Sequence, residues 1–252
     1  FIPSPTIFNP KSRLKELKKQ LVAGPEKRYY ELSEQGVGRL QLALLASVVI
    51  VMLCTAITTM LVMDMVPENR LKLVIFSQVL AMMVSALMGS HLMVDSLTDL
   101  LKGRFTVNTL LTVTFVACMV DGIVCLMEER VPCCAAFSLE MTMALWARLH
   151  RRNTETAQMD TLRKATRLNG IIKAEHYFEN KDGLLRTEGQ VSDFMETYQK
   201  TPTPEVTQSL YAFLSLVACI GIAVFSGYLH GFSMCVQILS TSLLVAVPAS
   251  FF

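Results

Sequence analysis

The feature that most constrains this chain is where its charges are missing. Long runs carry almost no Lys, Arg, Asp or Glu, and charged residues gather between them. A helix rises 1.5 Å per residue, so about 20 apolar residues span the hydrocarbon core of a bilayer. Six stretches approach that requirement: 40–63, 71–90, 106–127, 131–149, 210–228 and 232–252. Short polar connections at Asp64–Arg70, Glu128–Arg130 and Gly227–Gly231 pair them into three hairpins. The stretch 131–149 is the weakest, because Glu140 interrupts it and Arg148 closes it. Pro132 falls in its first turn, where a missing N–H costs nothing. Composition agrees: 52% of the residues are apolar and only 17% charged, against about 25% in a soluble domain. An ordinary soluble enzyme is excluded. The expected fold is an all-α polytopic membrane protein: six transmembrane helices in three hairpins, with a small cytoplasmic α+β loop domain.

Net charge is only +2, too balanced for a nucleic-acid partner. The distribution is more telling. Of the 23 Lys and Arg, all but Arg70, Lys72 and Arg130 fall on one side of the proposed spans. The positive-inside rule then places the N-terminus and the long loop in the cytoplasm, with the plasma membrane as the expected location. The chain divides into a basic segment 1–39, a first hairpin 40–104, a second hairpin 105–149, a loop 150–208 and a third hairpin 209–252. Lys11–Val22 reads as a basic helix that either lies on the inner leaflet or docks on the protein. In the first hairpin, the small pair Gly89-Ser90 is a candidate kink, after which His91–Lys102 is expected to turn along the surface as an amphipathic platform, the alternative being a single longer, tilted helix. Within the loop, Gly170–Phe178 and Leu184–Thr187 flank Asn180-Lys181-Asp182-Gly183, the signature of a β-hairpin with an Asp-Gly turn. Val191–Tyr198 suits a short helix, and Pro202 and Pro204 mark the return. So small a loop is expected to lean on another segment. The chain starts at Phe1 without a signal peptide and stops at Phe252 inside an apolar run, as a piece of a longer protein would.

Ionisable residues inside a membrane are costly, so each is a functional candidate. Asp121 and Glu140 lie at similar depth on the two arms of one hairpin, placed to share a proton or line a polar pathway. Cys118, Asp121 and Cys125 share one helical face, as do Cys133, Phe137 and Glu140. Thiolates beside carboxylates suit a transition metal, which makes Cys118, Cys125 and Cys133 candidate ligands. Packing is the alternative use of the seven cysteines and fifteen methionines. In the last stretch, Thr241, Ser242 and Pro248 are the ion-pathway candidates, because a proline deep in a spanning helix frees backbone carbonyls. No phosphate-binding loop, dinucleotide fingerprint or His-Glu-x-x-His motif is present, and no residue is assigned a catalytic role.

The layout resembles the membrane half of a P-type ATPase of the heavy-metal-transporting branch. Gly89-Ser90 with His91–Lys102 is similar to that family's kinked platform. Gly103–Leu111 resembles the start of its next helix, and Ala144–Leu149 the helix running into the actuator domain. Leu243–Ala249, around Pro248, resembles its ion-motif helix. The resemblance implies a transported cation and a reduced actuator in the loop. It also implies ATP and Mg chemistry confined to phosphorylation and nucleotide-binding domains beyond residue 252. Two departures open another reading. Val247 and Ala249, not cysteine, flank Pro248, and Thr187-Glu188-Gly189 stands where the family has Thr-Gly-Glu. The alternatives are therefore a non-catalytic relative acting as a membrane scaffold or sensor, and an unrelated six-helix secondary transporter driven by Asp121 and Glu140.

Overall fold

The computed structural model describes residues 25–34, 36–165, 169–178, 181–188, 195, 198, 200–201 and 207–249. They form eight helices and one hairpin: α1 (Pro25–Glu34), α2 (Val37–Val62), α3 (Glu68–Met88), α4 (Ser90–Leu101), α5 (Val107–Glu128), α6 (Cys134–Lys164), β1 (Asn169–Phe178), β2 (Lys181–Glu188), α7 (Ser209–His230) and α8 (Phe232–Ala249). The chain divides into two compact units, Phe1–Gln35 with Arg152–Thr201, and Gly36–Arg151 with Pro202–Phe252.

The larger unit is a helical bundle. By length and composition, four helical stretches are able to cross a membrane: Pro25–Val62, Glu68–Met88, Val107–Glu128 and Ser209–His230. Phe232–Pro248 is apolar but shorter. The expected span at 131–149 is the first part of α6, and its burial explains its weak apolar signal. Cys134, Phe137, Met141 and Leu145 are fully enclosed on one face, while Leu139 and Trp146 are exposed on another. α2 turns Leu42, Leu45 and Met52 outward, each about 70% exposed, as lipid contact requires and water forbids.

Polar ties show that the three hairpin turns share one end of the bundle. Lys72 Nζ lies 3.1 Å from Glu129 Oε1, joining the start of α3 to the end of α5. Ser233 Oγ donates to Glu128 Oε2 at 2.5 Å, joining the start of α8 to the same place. This is the turn end of the bundle. At the opposite end Arg148 pairs with Asp95 at 2.8 Å, and the Tyr211 hydroxyl donates to the Ala246 carbonyl at 2.9 Å.

The helix break at Gly89-Ser90 is present: α3 stops at Met88 and α4 starts at Ser90. A Cβ at Gly89 would run into the Met141 thioether, so the glycine permits α6 to pass close. Gly122 plays the same part for α3, since a Cβ there would lie 2.9 Å from Val79 Cγ2. Small residues at crossings are how helices associate in lipid, where burial of apolar surface gives no net drive. α4 buries Leu92 and Ser96 and exposes Val94, Leu97 and Leu101. The chain then reverses at Gly103, whose φ of 69° is left-handed. The Thr106 backbone N–H donates to Thr109 Oγ1 at 3.3 Å where α5 begins.

In the smaller unit α1 is capped by a residue far along the sequence. Arg152 Nε donates to the Leu32 carbonyl at 2.9 Å and Nη2 to the Glu31 carbonyl at 3.2 Å. These are C-terminal carbonyls that an α-helix leaves without partners. Leu32, Met159 and Met195 form a small core with Tyr29, Leu162 and Tyr198 beside it. Arg163 stacks over the Tyr29 ring at 4.2 Å. The loop therefore leans on α1, the support that its size required. The β-hairpin is present with one correction. Asn169 pairs with Glu188, Ala174 with Gly183 and Phe178 with Lys181. Asp182-Gly183 thus lies within β2, and the chain reverses between Phe178 and Lys181. An irregularity between Ala174 and Phe178 shifts the register and moves the turn away from the strongest turn dipeptide. The expectations for Lys11–Val22, Pro202 and Pro204, and most of Val191–Tyr198, lie outside the described residues.

Candidate functional site

Polar side chains enter the bundle from several helices at nearly one depth. Counting 1.5 Å per residue from the turn end, Cys54, Gln78, Asp121, Glu140 and Ser240 all fall roughly 9–15 Å along their helices. Each is 1% exposed or less. Gln78 Nε2 donates to Thr58 Oγ1 at 2.8 Å and to the Cys54 carbonyl at 3.3 Å, knitting α2 to α3. The Cys54 thiol lies beside Ser138 of α6. Cys133 contacts both Asp121 and Ser240, linking α5 to α8. The result is a polar layer within an otherwise apolar interior.

The two carboxyls of this layer have different surroundings. Asp121 accepts a hydrogen bond from Arg130 Nη2 at 2.5 Å and lies 3.7 Å from the Cys125 thiol. Arg130 Nε also lies 3.4 Å from Glu128 Oε2. Asp121 is thus a compensated charge, and Arg130 folds inward from the turn with a side chain only 20% exposed. Glu140 is 1% exposed, and neither of its carboxyl oxygens has a hydrogen-bond partner among the described residues. Its ionisable neighbour is the Cys118 thiol of α5.

The shared proton expected between Asp121 and Glu140 is therefore not formed, because Arg130 takes the first carboxylate. The expected faces are present: Cys118, Asp121 and Cys125 are all buried, as are Phe137 and Glu140. The metal expectation for Cys118, Cys125 and Cys133 does not carry forward. Among the described residues no three His, Cys, Asp or Glu side chains come together around one ion. Cys118 and Cys125 are two turns apart, roughly 10 Å along one helix, too far to share a metal. In α8, Thr241 is exposed and donates to its own Gln237 carbonyl at 2.8 Å, and Ser242 donates to the Leu239 carbonyl at 3.1 Å. The hydroxyl of this helix that enters the layer is Ser240, one position earlier, because 100° of rotation per residue turns Thr241 away. Pro248 is inside α8, but roughly 24 Å from the start of that helix, well beyond the carboxyl layer. Sequence reasoning missed Gln78, Ser138 and the inward turn of Arg130. A lone amide within 71–90 was a readable signal for Gln78, whereas Arg130 looked like an exterior charge.

At the opposite end, burial and the nearby Arg148 hold the His91 imidazole below its usual pKa, Asp95 opposing them. Its Nε2 is buried without a hydrogen-bond partner among the described residues.

These observations define the class: a mostly helical protein with several helices able to cross a membrane and a polar layer enclosed within its bundle. No protein-family model, curated protein or solved structure matches the chain.

Proposed function

We propose that this chain is the membrane region of a cation transporter built on a P-type ATPase-like layout, with Glu140 as the carboxyl of its ion pathway. The observation that carries the reading is Glu140 itself. A buried carboxyl with neither oxygen partnered destabilises a fold, and such a group inside a membrane helix marks an ion or proton path. The polar layer supplies neutral oxygens at the same depth. Three features support the layout: the break at Gly89, the short helix α4 that follows it, and Pro248 inside α8. In this reading α1, the β-hairpin and the N-terminus are cytoplasmic, and ATP hydrolysis belongs to domains that this sequence does not contain.

The test is cation flux into proteoliposomes holding the complete protein, supplied with ATP and a panel of monovalent and divalent cations. Glu140→Gln is expected to abolish flux while the protein still folds. Wild-type flux in that variant overturns the assignment. Absence of ATP-driven flux for every cation favours the scaffold or sensor reading. One contact speaks for that second reading: Arg130 already occupies the Asp121 carboxylate that a passing cation would otherwise use.

A further inference from the structure

Among the described residues Glu140 differs from Asp121 and Gln78, the other buried acid and amide of the bundle, in having no hydrogen-bond partner. Asp121 has Arg130, and Gln78 has Thr58 and the Cys54 carbonyl on its amide nitrogen. An ionised carboxylate without a counter-charge or donor is too costly to keep in an apolar interior, so it takes up a cation or a proton. The groups around it decide which.

From α5 the ionisable neighbour is the Cys118 thiol, which carries no positive charge. Asp121, on the same helix, is held by Arg130. α2 contributes Cys54, α3 contributes Gln78 and Ser85, and α8 contributes Ser240, none of them cationic. From α4, Asp95 is engaged with Arg148, and His91 is kept neutral by burial and by that same arginine. On α6 itself, Ser138 and Thr142 donate back to their own helix at 3.0 and 2.9 Å. Those hydroxyl protons are therefore engaged and do not reach Glu140. Among the described residues no group of three His, Cys, Asp or Glu side chains that could hold a metal ion is found.

We infer that Glu140 is occupied by a proton in this conformation, so that a cation reaching it must displace that proton and the transporter exchanges protons for its cation. The inference rests on the transport reading for its second half alone. Occupancy by a proton follows from the side chain's surroundings. The exchange balances simply: the carboxylic acid releases H⁺ to the path and the carboxylate receives the cation, with no redox change.

The test uses the complete protein in lipid nanodiscs at about pH 8, where an exposed glutamate with a pKa near 4.3 is ionised. Infrared spectroscopy is expected to show the C=O stretch of a protonated carboxylic acid, shifted in D₂O and missing from Glu140→Gln. Dicyclohexylcarbodiimide, which modifies protonated carboxyls in apolar settings, is expected to label Glu140 and spare the exposed Glu128 and Glu129. Absence of the Glu140-dependent band overturns proton occupancy, whatever the flux measurement gives. In proteoliposomes, cation uptake should expel protons that a trapped pH dye reads. A band that is present with flux indifferent to Glu140→Gln sinks the transport reading and the exchange while leaving the proton in place. Cation flux that needs Glu140 but moves no protons overturns the exchange.

Discussion

Asp121 and Glu140 sit on successive helices at nearly the same distance from the turn end, and both are fully buried. Asp121 is held in a web that ties α5, the following turn and α8 together through Arg130, Glu128 and Ser233. Glu140 is buried without a hydrogen-bond partner among the described residues. Equal depth and equal chemistry thus give one structural group and one candidate functional group. What separates them is whether the fold brings a cation alongside. In an apolar interior that decides whether a carboxyl is a fixed charge or an exchangeable one.

The sharpest way to break the contrast is to remove the cation. Arg130→Met leaves Asp121 buried and alone, and should cost about 3–5 kcal/mol of stability. Arg130→Met with Asp121→Leu should recover most of that loss. Unfolding in detergent, followed by intrinsic fluorescence or a thiol-reactive dye, measures both. A single variant as stable as wild type would mean that the pair contributes nothing.

The opposite result is expected at Glu140. Glu140→Met removes two unsatisfied oxygens and should raise stability by about 1–3 kcal/mol in the same assay. Destabilisation of that size would reveal a partner that Glu140 needs.

Packing between these helices is tested at Gly89. Gly89→Ala forces the Met141 side chain to move and should cost about 1–3 kcal/mol. A Met141→Ala background, which clears the space, should reduce that cost. Equal costs in both backgrounds would show that the collision is not the cause.

The pH dependence is the next smaller effect and concerns the other end of the bundle. The folded-state pKa of His91 is lowered, so the unfolded chain binds more protons in the interval between the two pKa values. Stability from this group is fully present above the unfolded value near 6.5 and is lost as pH falls through the folded value. His91→Gln should flatten that acid limb. An unchanged slope would assign it elsewhere.

The most local effect lies in the other unit. Arg152→Ala removes two hydrogen bonds to carbonyls at the end of α1, worth about 1–3 kcal/mol locally. Faster proteolysis within 25–34, at unchanged bundle stability, is the expected readout.

Several elements were legible because they depend on neighbours in sequence. The break at Gly89-Ser90 and the face shared by Cys118, Asp121 and Cys125 follow from local steric rules and helical period. The hairpin in the loop was legible too, but its turn was not: an irregularity in β1 moved Asp182-Gly183 into a strand. The inward-facing hydroxyl of α8 was missed by one position, Ser240 rather than Thr241, because a helix apolar on most faces does not declare which one is enclosed. Arg130 was read as an exterior charge, although a nine-residue separation places it beside Asp121 once the chain turns.

By itself the sequence determined that the chain is helical, that several helices suit a bilayer, and where those helices break. These follow from the length and period of apolar runs and from residues that stop a helix. Only the tertiary structure decided which face of α6 is enclosed by protein, that Arg130 belongs to Asp121, and that Glu140 has no hydrogen-bond partner among the described residues. Those facts depend on which groups meet across helices. A charge pattern along one chain cannot carry them, because the same residue is costly or compensated according to what lies within a few ångströms of it.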